Sequence, residues 1–161
     1  MSAELVWGVK ASLLAYVGSL ADGSIVASGA ASRGPSGEFR FPYLESRDAA
    51  EHRFGGRVQL VGHGGVMSIA FADPTVTIAE ASGELSVTTS EGARATIALM
   101  ALSHEPGGSW VGTSVRLTAD GADLLGALQY YESQPVDDLS FSLPEPTPVF
   151  SAAPAAPGAY R

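Results

Sequence analysis

The sequence predicts a mainly β (α+β) fold, an antiparallel β-sandwich or barrel-like sheet with two short helices. The chain of 161 residues contains 19 glycines and 10 prolines, which favours many turns and short strands. Apolar and polar residues alternate over much of its length, and a helical period appears only near each end. With 45% hydrophobic residues the chain can bury one core, so we expect a single domain over residues 1–143.

The first helix is predicted over residues 4–20, ELVWGVKASLLAYVGSL. Apolar residues recur there at about 100° per residue, and Gly18 or the ADG sequence at 21–23 ends the helix. A second helix is predicted over residues 118–131, with Thr118 as its N-cap and acidic residues in its first turns. The apolar side of the first helix is formed by Val6, Val9, Leu13, Val17 and Leu20.

Strands are predicted between the two helices and after the second one. In GEFRFPYLES, Phe39, Phe41 and Tyr43 share one face. Pro42 in the same stretch indicates an edge strand or a bulge. The stretch HRFGGRVQLVGHGGVMSIAFADP predicts a hairpin whose turn is GHGG, residues 62–65. Further strands are expected within GSIVASGAAS, TVTIA, GELSVTTSEG, RATIALMAL, GSWVGTSVRLT and VDDLSFSLP.

The two ends of the chain carry separate signals. Residues 144–161, PEPTPVFSAAPAAPGAYR, are rich in proline and alanine and predict a flexible or extended tail. The start, MSAELVWGVK, lacks the basic and apolar regions of a signal peptide, and no apolar run is long enough to span a membrane. We therefore expect no membrane insertion and a cytoplasmic location, or an extracellular or cell-surface location if the sequence is a trimmed domain.

Charge and composition argue against several classes of function. The net charge is −8 and the basic residues are scattered, which argues against binding to nucleic acid or to an anionic membrane. The absence of cysteine excludes disulfides, thiolate zinc sites, iron–sulfur clusters and cysteine nucleophiles. There is no GxSxG, Walker A or HExxH motif, and His52, His63 and His104 form no recognised ligand pair. No catalytic residue is assigned.

Ser12, Tyr16 and His63 remain as candidate binding residues. Tyr16 falls just inside the apolar side of the predicted first helix, and Ser12 lies just beyond its edge. Taken alone, Tyr16 is more commonly a half-buried residue that joins a helix to a sheet. Likewise, His63 in a glycine-rich turn is more commonly a residue that caps a backbone group. The alternative interpretation is that these side chains face a ligand.

Several separated motifs resemble those of the HtaA domain, the haem-binding module of actinobacterial cell-surface haem-uptake proteins. The motifs are WGVKASLLAYV, GSIVASGAAS, GEFRFPYL, FGGRVQLVGHGGVMSIAFADPTVTI and LSFSL, which together span about residues 5–143 in the same order. The resemblance implies a β-rich fold with two helices and a groove beside the N-terminal helix. It also implies that the ligand of this groove is ferric haem b.

The resemblance implies a role for each candidate residue. Tyr16 matches the axial ligand of the haem iron, His63 matches the histidine that hydrogen-bonds the ligating oxygen, and Ser12 matches a serine near a haem propionate. Tyr131 or Tyr130 matches an aromatic residue that packs on the porphyrin. A phenolate is a hard anionic ligand that favours Fe(III). Because free tyrosine ionises at about pH 10, the iron charge and a nearby donor must stabilise the phenolate.

Three functions follow from these features. The leading hypothesis is that the protein binds ferric haem through an axial tyrosinate for haem capture, transfer or storage, with haem-donor or haem-acceptor proteins as partners. One alternative is a haem-dependent enzyme of the peroxidase or catalase type, which would need a distal acid–base group. Another is a haem-free β-rich interaction module. A homodimer that pairs through an edge strand near Pro42 is also conceivable.

The sequence also offers candidates for the apolar walls of the groove. A haem macrocycle needs apolar side chains on its faces. The candidates are Val9, Leu13 and the strand that contains Phe39, Phe41 and Tyr43.

Overall fold

The computed structural model describes residues 3–126 and 128–144 of the chain. Within this part, neither helix is long or apolar enough to cross a membrane. The strands are β1 (Glu4–Trp7), β2 (Ser24–Ser28), β3 (Ser32–Arg33), β4 (Phe39–Ser46), β5 (Glu51–Phe54), β6 (Arg57–Gly62), β7 (Met67–Ala79), β8 (Ser82–Thr89), β9 (Arg94–His104), β10 (Ser109–Leu117) and β11 (Leu139–Ser142). The helices are α1 (Ala11–Ser19) and α2 (Ala119–Gly126), and a 3₁₀ turn (His63–Gly65) joins β6 to β7.

The strands form one antiparallel sheet that closes on itself. The hydrogen-bonded order runs β7-β5-β4-β1-β11-β10-β9-β8, and β8 pairs again with β7. β6 and β2 extend from β7, and β3 pairs with β4. β7 pairs with both β6 and β5, because its residues 67–72 pair with β6 and its residues 75–77 pair with β5. The predicted mainly β fold with two short helices is therefore confirmed, in its barrel-like form.

The first predicted helix begins too early. Residues 4–7 form β1, in which Leu5 and Trp7 are buried, and this strand pairs with β4 and β11. Val9 then adopts a φ of 62°, which no α-helix can contain, and α1 begins only at Ala11. Pairing on both sides of β1 outweighs the helical spacing of its apolar residues, because tertiary context overrides a local pattern.

The second predicted helix ends too late. Thr118 caps α2 as expected, since its hydroxyl accepts the N–H of Gly121 at 3.0 Å. The helix ends at Gly126, where φ is 125°, rather than at residue 131. Beyond the helix, Tyr130 donates its N–H to the carbonyl of Gly126 at 2.9 Å. A glycine that adopts positive φ ends a helix at no steric cost.

The predicted hairpin at residues 62–65 is confirmed. Its arms are β6 and β7, joined by the 3₁₀ turn. Their register places Val58 opposite Phe71 and Leu60 opposite Ile69. All four of these side chains are buried, so the alternation in the sequence does face the core.

Pro42 lies at a change of strand partner rather than on an edge. β4 has β1 on one side and β5 on the other, and Pro42 is opposite Glu4 of β1. A register shift follows between Tyr43 and Glu45. The bulge alternative therefore holds and the edge-strand alternative is wrong, which removes the predicted dimer contact near Pro42. Among the described strands, β2 and β3 each pair on one side alone, β2 with β6 and β3 with β4.

The core fills the interior of the barrel with aromatic and aliphatic side chains. Strands that are not adjacent in the sheet contribute rings that approach one another inside the barrel, such as Phe41 and Phe71 at 6.3 Å between centroids and Phe54 and Phe141 at 6.1 Å. Burying a side chain of this size stabilises the fold by about 1.5–3 kcal/mol. The largest fully buried residues are Trp7, Phe39, Phe41, Phe54, Phe71 and Phe141.

Candidate functional site

A tyrosine and a histidine from distant parts of the chain meet beside α1. Leu13 and Val17 bury one side of this helix, and Tyr16 lies on its flank with 42% of its surface exposed. Tyr16 Oη lies 2.5 Å from His63 Nε2, and the two rings are 5.7 Å apart. When Tyr16 is a phenol its O–H donates to Nε2, and when it is a phenolate an Nε2–H donates to it. The pair can therefore persist in both states of the tyrosine.

The turn that carries His63 has an uncommon backbone conformation. His63, Gly64 and Gly65 have φ values of 52°, 65° and 93°. Glycine adopts such values freely, but for any other residue the left-handed conformation costs about 1–2 kcal/mol. Strained non-glycine residues of this kind are concentrated at functional sites. The cost at His63 is therefore an observation that favours a function for its side chain.

Asp22 ties this turn to the end of α1. Its carboxylate accepts the N–H of Gly64 at 2.6 Å, across 42 positions of the sequence. This hydrogen bond is the main cause that lowers the pKa of Asp22 below its ordinary value. Because Asp22 follows α1 and Gly64 follows His63, this contact limits the movement of His63 relative to Tyr16.

A cleft of about 410 Å³ opens next to the pair. Its volume is within the usual range for small-molecule sites. Val66 and Leu128 stand at the cleft with their side chains almost fully exposed. Exposed aliphatic residues at a cleft mark a surface that binds another molecule. Tyr16 and His63 share the lining with Val66, Met67, Ser68 and Ile69 from the turn and β7, and with Asp123, Leu124, Leu125, Gly126, Leu128 and Gln129 from α2 and the segment after it.

The other candidates from the sequence lie around this cleft rather than in its described lining. Ser12 is exposed on α1, one turn before Tyr16. Tyr130 packs against the core, and burial raises its pKa. Tyr131 is 62% exposed. Tyr130 or Tyr131 was expected to pack on the ligand, but the residues of this segment in the described lining are Leu128 and Gln129.

Four of the five candidates for the apolar walls of the groove are buried in the core instead. Val9, Leu13, Phe39 and Phe41 are all at most 2% exposed and belong to the core of the barrel. Leu13 of α1, Phe39 and Phe41 of β4, and Val9 between β1 and α1 all belong to the hydrophobic core. Tyr43 is half-buried beside the same core.

The two remaining histidines also lie elsewhere. His52 is buried on β5 and its ring is 6.4 Å from that of Tyr43. His104 stacks on Trp110 at 4.5 Å between centroids. Neither is among the described residues that line the cleft.

A larger cleft of about 720 Å³ lies on the opposite flank of α1. It is lined by Ala11, Leu14 and Ala15 of the helix and by carboxylates such as Asp137 and Asp138. Its described lining contains no tyrosine or histidine. We therefore place the candidate site in the smaller cleft, where the reactive side chains are.

Three residues of the site were not found from the sequence. Asp22 was considered only as part of the ADG sequence that ends the first helix. Its partner Gly64 is far along the chain, so no local pattern could reveal the contact. The sequence indicated Val66 only weakly as a site residue, because an aliphatic residue directly after a glycine turn is expected to be buried or to contact a ligand. Leu128 fell inside the predicted second helix and looked like part of its apolar side.

Comparison with known proteins gives one family. The family model Htaa matches residues 2–142. The crystal structure of the C-terminal domain of HtaA from Corynebacterium glutamicum is 24% identical, covers 88% of this chain and 94% of that chain, and has a TM-score of 0.69. The haem-binding protein HtaB from the same organism is 18% identical, with 87% and 91% covered and a TM-score of 0.68. No curated protein sequence matches at a significant level.

One further structure is a domain-swapped dimer. It is a histidine-to-alanine variant of the C-terminal domain of HtaA from Corynebacterium glutamicum. It is 25% identical to this chain, covers 84% of this chain and 91% of its own, and has a TM-score of 0.62. Together with the other two structures, it shows that this chain has the fold of these domains.

Proposed function

Because the chain belongs to the HtaA family, we propose that it binds ferric haem b in the cleft, with the phenolate of Tyr16 as axial ligand. The observation that carries this proposal is the hydrogen-bonded pair of Tyr16 and His63 at the edge of an apolar cleft. The likeness to HtaB supports the proposal, because HtaB is a haem-binding protein with the same fold.

The residues present fit such a ligand. Tyr16 is exposed enough for its oxygen to bind a metal, while its ring remains anchored on α1. Val66 and Leu128 would lose their contact with water against an apolar macrocycle, which is favourable by about 25 cal/mol per Å². When bound, ferric haem supplies a positively charged iron that stabilises an anionic oxygen ligand. The cleft thus offers both an oxygen ligand and apolar walls.

His63 would supply the hydrogen-bond donor that stabilises the phenolate of Tyr16. An Nε2–H that donates to Tyr16 Oη reduces the negative charge on this oxygen and orients it. The turn limits how far the imidazole can move, because Asp22 holds the N–H of Gly64. His63 therefore acts on the ligand oxygen from a fixed position.

Haem capture and hand-over fits the described lining better than catalysis. Apart from Tyr16 and His63, its one titratable side chain is Asp123. Peroxidase or catalase chemistry needs an acid–base group that is free of the ligand pair, and Asp123 would have to supply it. We therefore expect the haem complex to turn over peroxide no faster than free haem does. The roles of Ser12, Tyr130 and Tyr131 toward haem stay predictions.

The test of the proposal is a ferric haem titration followed by absorbance. We expect saturable binding and a high-spin tyrosinate spectrum in the wild type. Tyr16→Phe removes the ligand oxygen, so we expect this spectrum to vanish and the affinity to fall by roughly ten-fold or more. Tyr131→Phe is the matched control and should leave the spectrum unchanged. The same spectrum in Tyr16→Phe would refute the ligand assignment, and no saturable binding by the wild type would refute the function.

Replacing His63 by glycine separates its side chain from its backbone. His63→Gly suits the left-handed φ, so we expect the melting temperature to stay the same or rise. The hydrogen bond to Tyr16 is lost, and we expect a shifted ferric spectrum and a roughly 10- to 100-fold lower haem affinity. A lower melting temperature with unchanged haem binding would show instead that His63 serves the fold.

A further inference from the structure

Three arginines line a third cleft, which is distinct from the two clefts beside α1 and has no role in the proposed haem binding. Arg47, Arg53 and Arg94 line a cleft of about 400 Å³ together with Glu51. The rest of its described lining is Ser86, Ala95 and Thr96. The whole chain has nine Lys and Arg residues and a net charge of −8, so a third of its cations lie at this one place.

Arg94 is held in place by neutral oxygens. Its Nη1 donates to the carbonyl of Asp73 at 2.9 Å and to the hydroxyl of Thr88 at 2.8 Å. Its Nη2 donates to the hydroxyls of Thr75 at 2.6 Å and Ser86 at 2.9 Å. All four acceptors are uncharged, so these bonds fix the guanidinium without neutralising it.

The other two arginines differ in how accessible their donors are. Arg53 Nη1 forms an ion pair with Glu45 at 3.0 Å, but its Nε is buried and has no hydrogen-bond partner among the described residues. A buried donor without a partner costs about 1–3 kcal/mol. Arg47 is exposed at the edge of the cleft. An acceptor that enters the cleft would meet the exposed donors of Arg47, whereas the buried Nε of Arg53 is closed to solvent.

Carboxylates accompany the three arginines, since Glu45 pairs with Arg53 and Glu51 lines the cleft. Burial is the main cause that lowers the pKa of Arg94, and the charges of Arg53 and Arg47 add to it. Asp73 and Glu51 act in the opposite direction without restoring the ordinary pKa. A bound anion would give Arg94 the close negative partner that the described residues do not supply.

We propose that this arginine cleft binds the phosphate group of a small phosphorylated molecule. Guanidinium groups and hydroxyls are the donors that phosphate oxygens prefer, and a phosphate offers more oxygens than a carboxylate to donors on several sides. The cleft is large enough to hold part of the small molecule that carries the phosphate, in addition to the phosphate itself. The acidic surface elsewhere repels a polyanion or an anionic membrane, which favours a small ligand.

The arginine cleft is separate from the haem cleft. Ile69 lines the haem cleft, and Thr75, six residues further along β7, contacts Arg94. Six residues of a strand span at most about 20 Å at a rise of about 3.3 Å per residue, and the two clefts share no described lining residue. Phosphate binding can therefore be measured on the haem-free protein, and its outcome is independent of the haem proposal.

The test is calorimetric titration of the full chain with inorganic phosphate and with glycerol phosphate. We expect saturable binding at one site, and on the order of ten-fold weaker binding for Arg47→Ala. Arg47 is exposed, so this change should leave the melting temperature the same. Glu51→Gln removes a repelling charge and should strengthen binding. Arg116→Ala is the matched control, because Arg116 is an exposed arginine outside the described lining of the cleft.

Three results would overturn the proposal. The first is the absence of saturable heat with either phosphate compound. The second is an equal loss of binding in Arg116→Ala, which would mean that net charge alone attracts the anion. The third is sedimentation with phosphatidic acid vesicles without binding of the free phosphates, which would assign the arginines to a lipid surface instead.

Discussion

The histidine at the turn between β6 and β7 occupies a backbone conformation that histidine seldom adopts. A glycine at position 63 would avoid the cost of about 1–2 kcal/mol, but it would leave Tyr16 without its partner. Flanking glycines at positions 62, 64 and 65 let the chain turn around this one strained residue. The turn therefore gives up some stability in exchange for a fixed imidazole beside the phenol.

His52 makes the stability of the protein depend on pH. Burial lowers its pKa from the ordinary value of 6.5, in spite of the opposing charge of Asp48. Below about pH 6.5 the unfolded chain therefore binds a proton that the folded chain does not. The free energy of unfolding consequently decreases as the pH is lowered.

The His52→Phe variant tests this dependence. Phenylalanine keeps a ring next to Tyr43 and cannot be protonated. We expect the wild type to lose more stability than His52→Phe between pH 7.5 and pH 5, as measured by urea unfolding, with the two profiles parallel above pH 7. The same loss in both proteins would assign the dependence to other groups.

Helix α2 depends on one glycine for its close contact with the sheet. A Cβ atom on Gly121 would lie 2.0 Å from the carbonyl oxygen of Ile97 on β9. The helix would have to move away from β9, and Leu124 and Leu125, which line the candidate site, would move with it. A change on the side of α2 that faces the sheet is thus expected to reach the candidate site.

Gly121→Ala should destabilise the protein by about 1–3 kcal/mol, because the added methyl group has no space. We also expect weaker haem binding in the same variant. Gly18→Ala is the control, since Gly18 is a helical glycine with nothing within 4 Å of its would-be Cβ. That change should be neutral or stabilise by up to about 1 kcal/mol. Equal effects of the two substitutions in a denaturation experiment would contradict the close contact.

The barrel closes because β7 changes its partner near Asp73. This residue lies within the register shift between Ala72 and Thr75 and has a φ of 51°. Its N–H donates to the carbonyl of Gly56 at 2.8 Å, and its carboxylate accepts the N–H of Gly56 at 3.1 Å. These two bonds hold the segment between β5 and β6 against β7 where the two pairings meet.

Asp73→Ala should therefore destabilise the whole domain. Alanine loses the side-chain acceptor and tolerates the left-handed φ poorly, so we expect a loss of about 1–3 kcal/mol in the free energy of unfolding. Asp73→Asn keeps a side-chain oxygen that can accept the hydrogen bond, and asparagine adopts the left-handed conformation more readily than alanine. We expect this variant to lose less than about 1 kcal/mol of the free energy of unfolding. Equal losses for the two variants, measured by chemical denaturation, would show that the charge of Asp73 matters instead.

Local patterns in the sequence were sufficient for most of the fold. The alternation in residues 57–62 and 67–71, with glycines between, predicted a hairpin whose register and buried face are as expected. Thr118 predicted the start of α2. These features depend on a few neighbouring residues, because turns, caps and the two-residue period of a strand are set by local geometry.

The sequence by itself also selected Tyr16 and His63, through the resemblance of their surrounding motifs. It misassigned residues 4–7, where pairing with β4 and β11 overrides helical spacing, and it placed core residues such as Phe39 and Phe41 in the groove. Only the tertiary structure decided which side chains form the cleft. Pairing of β2, which follows α1, with β6, which precedes His63, brings together residues 47 positions apart, and no pattern within a few residues can encode such a contact.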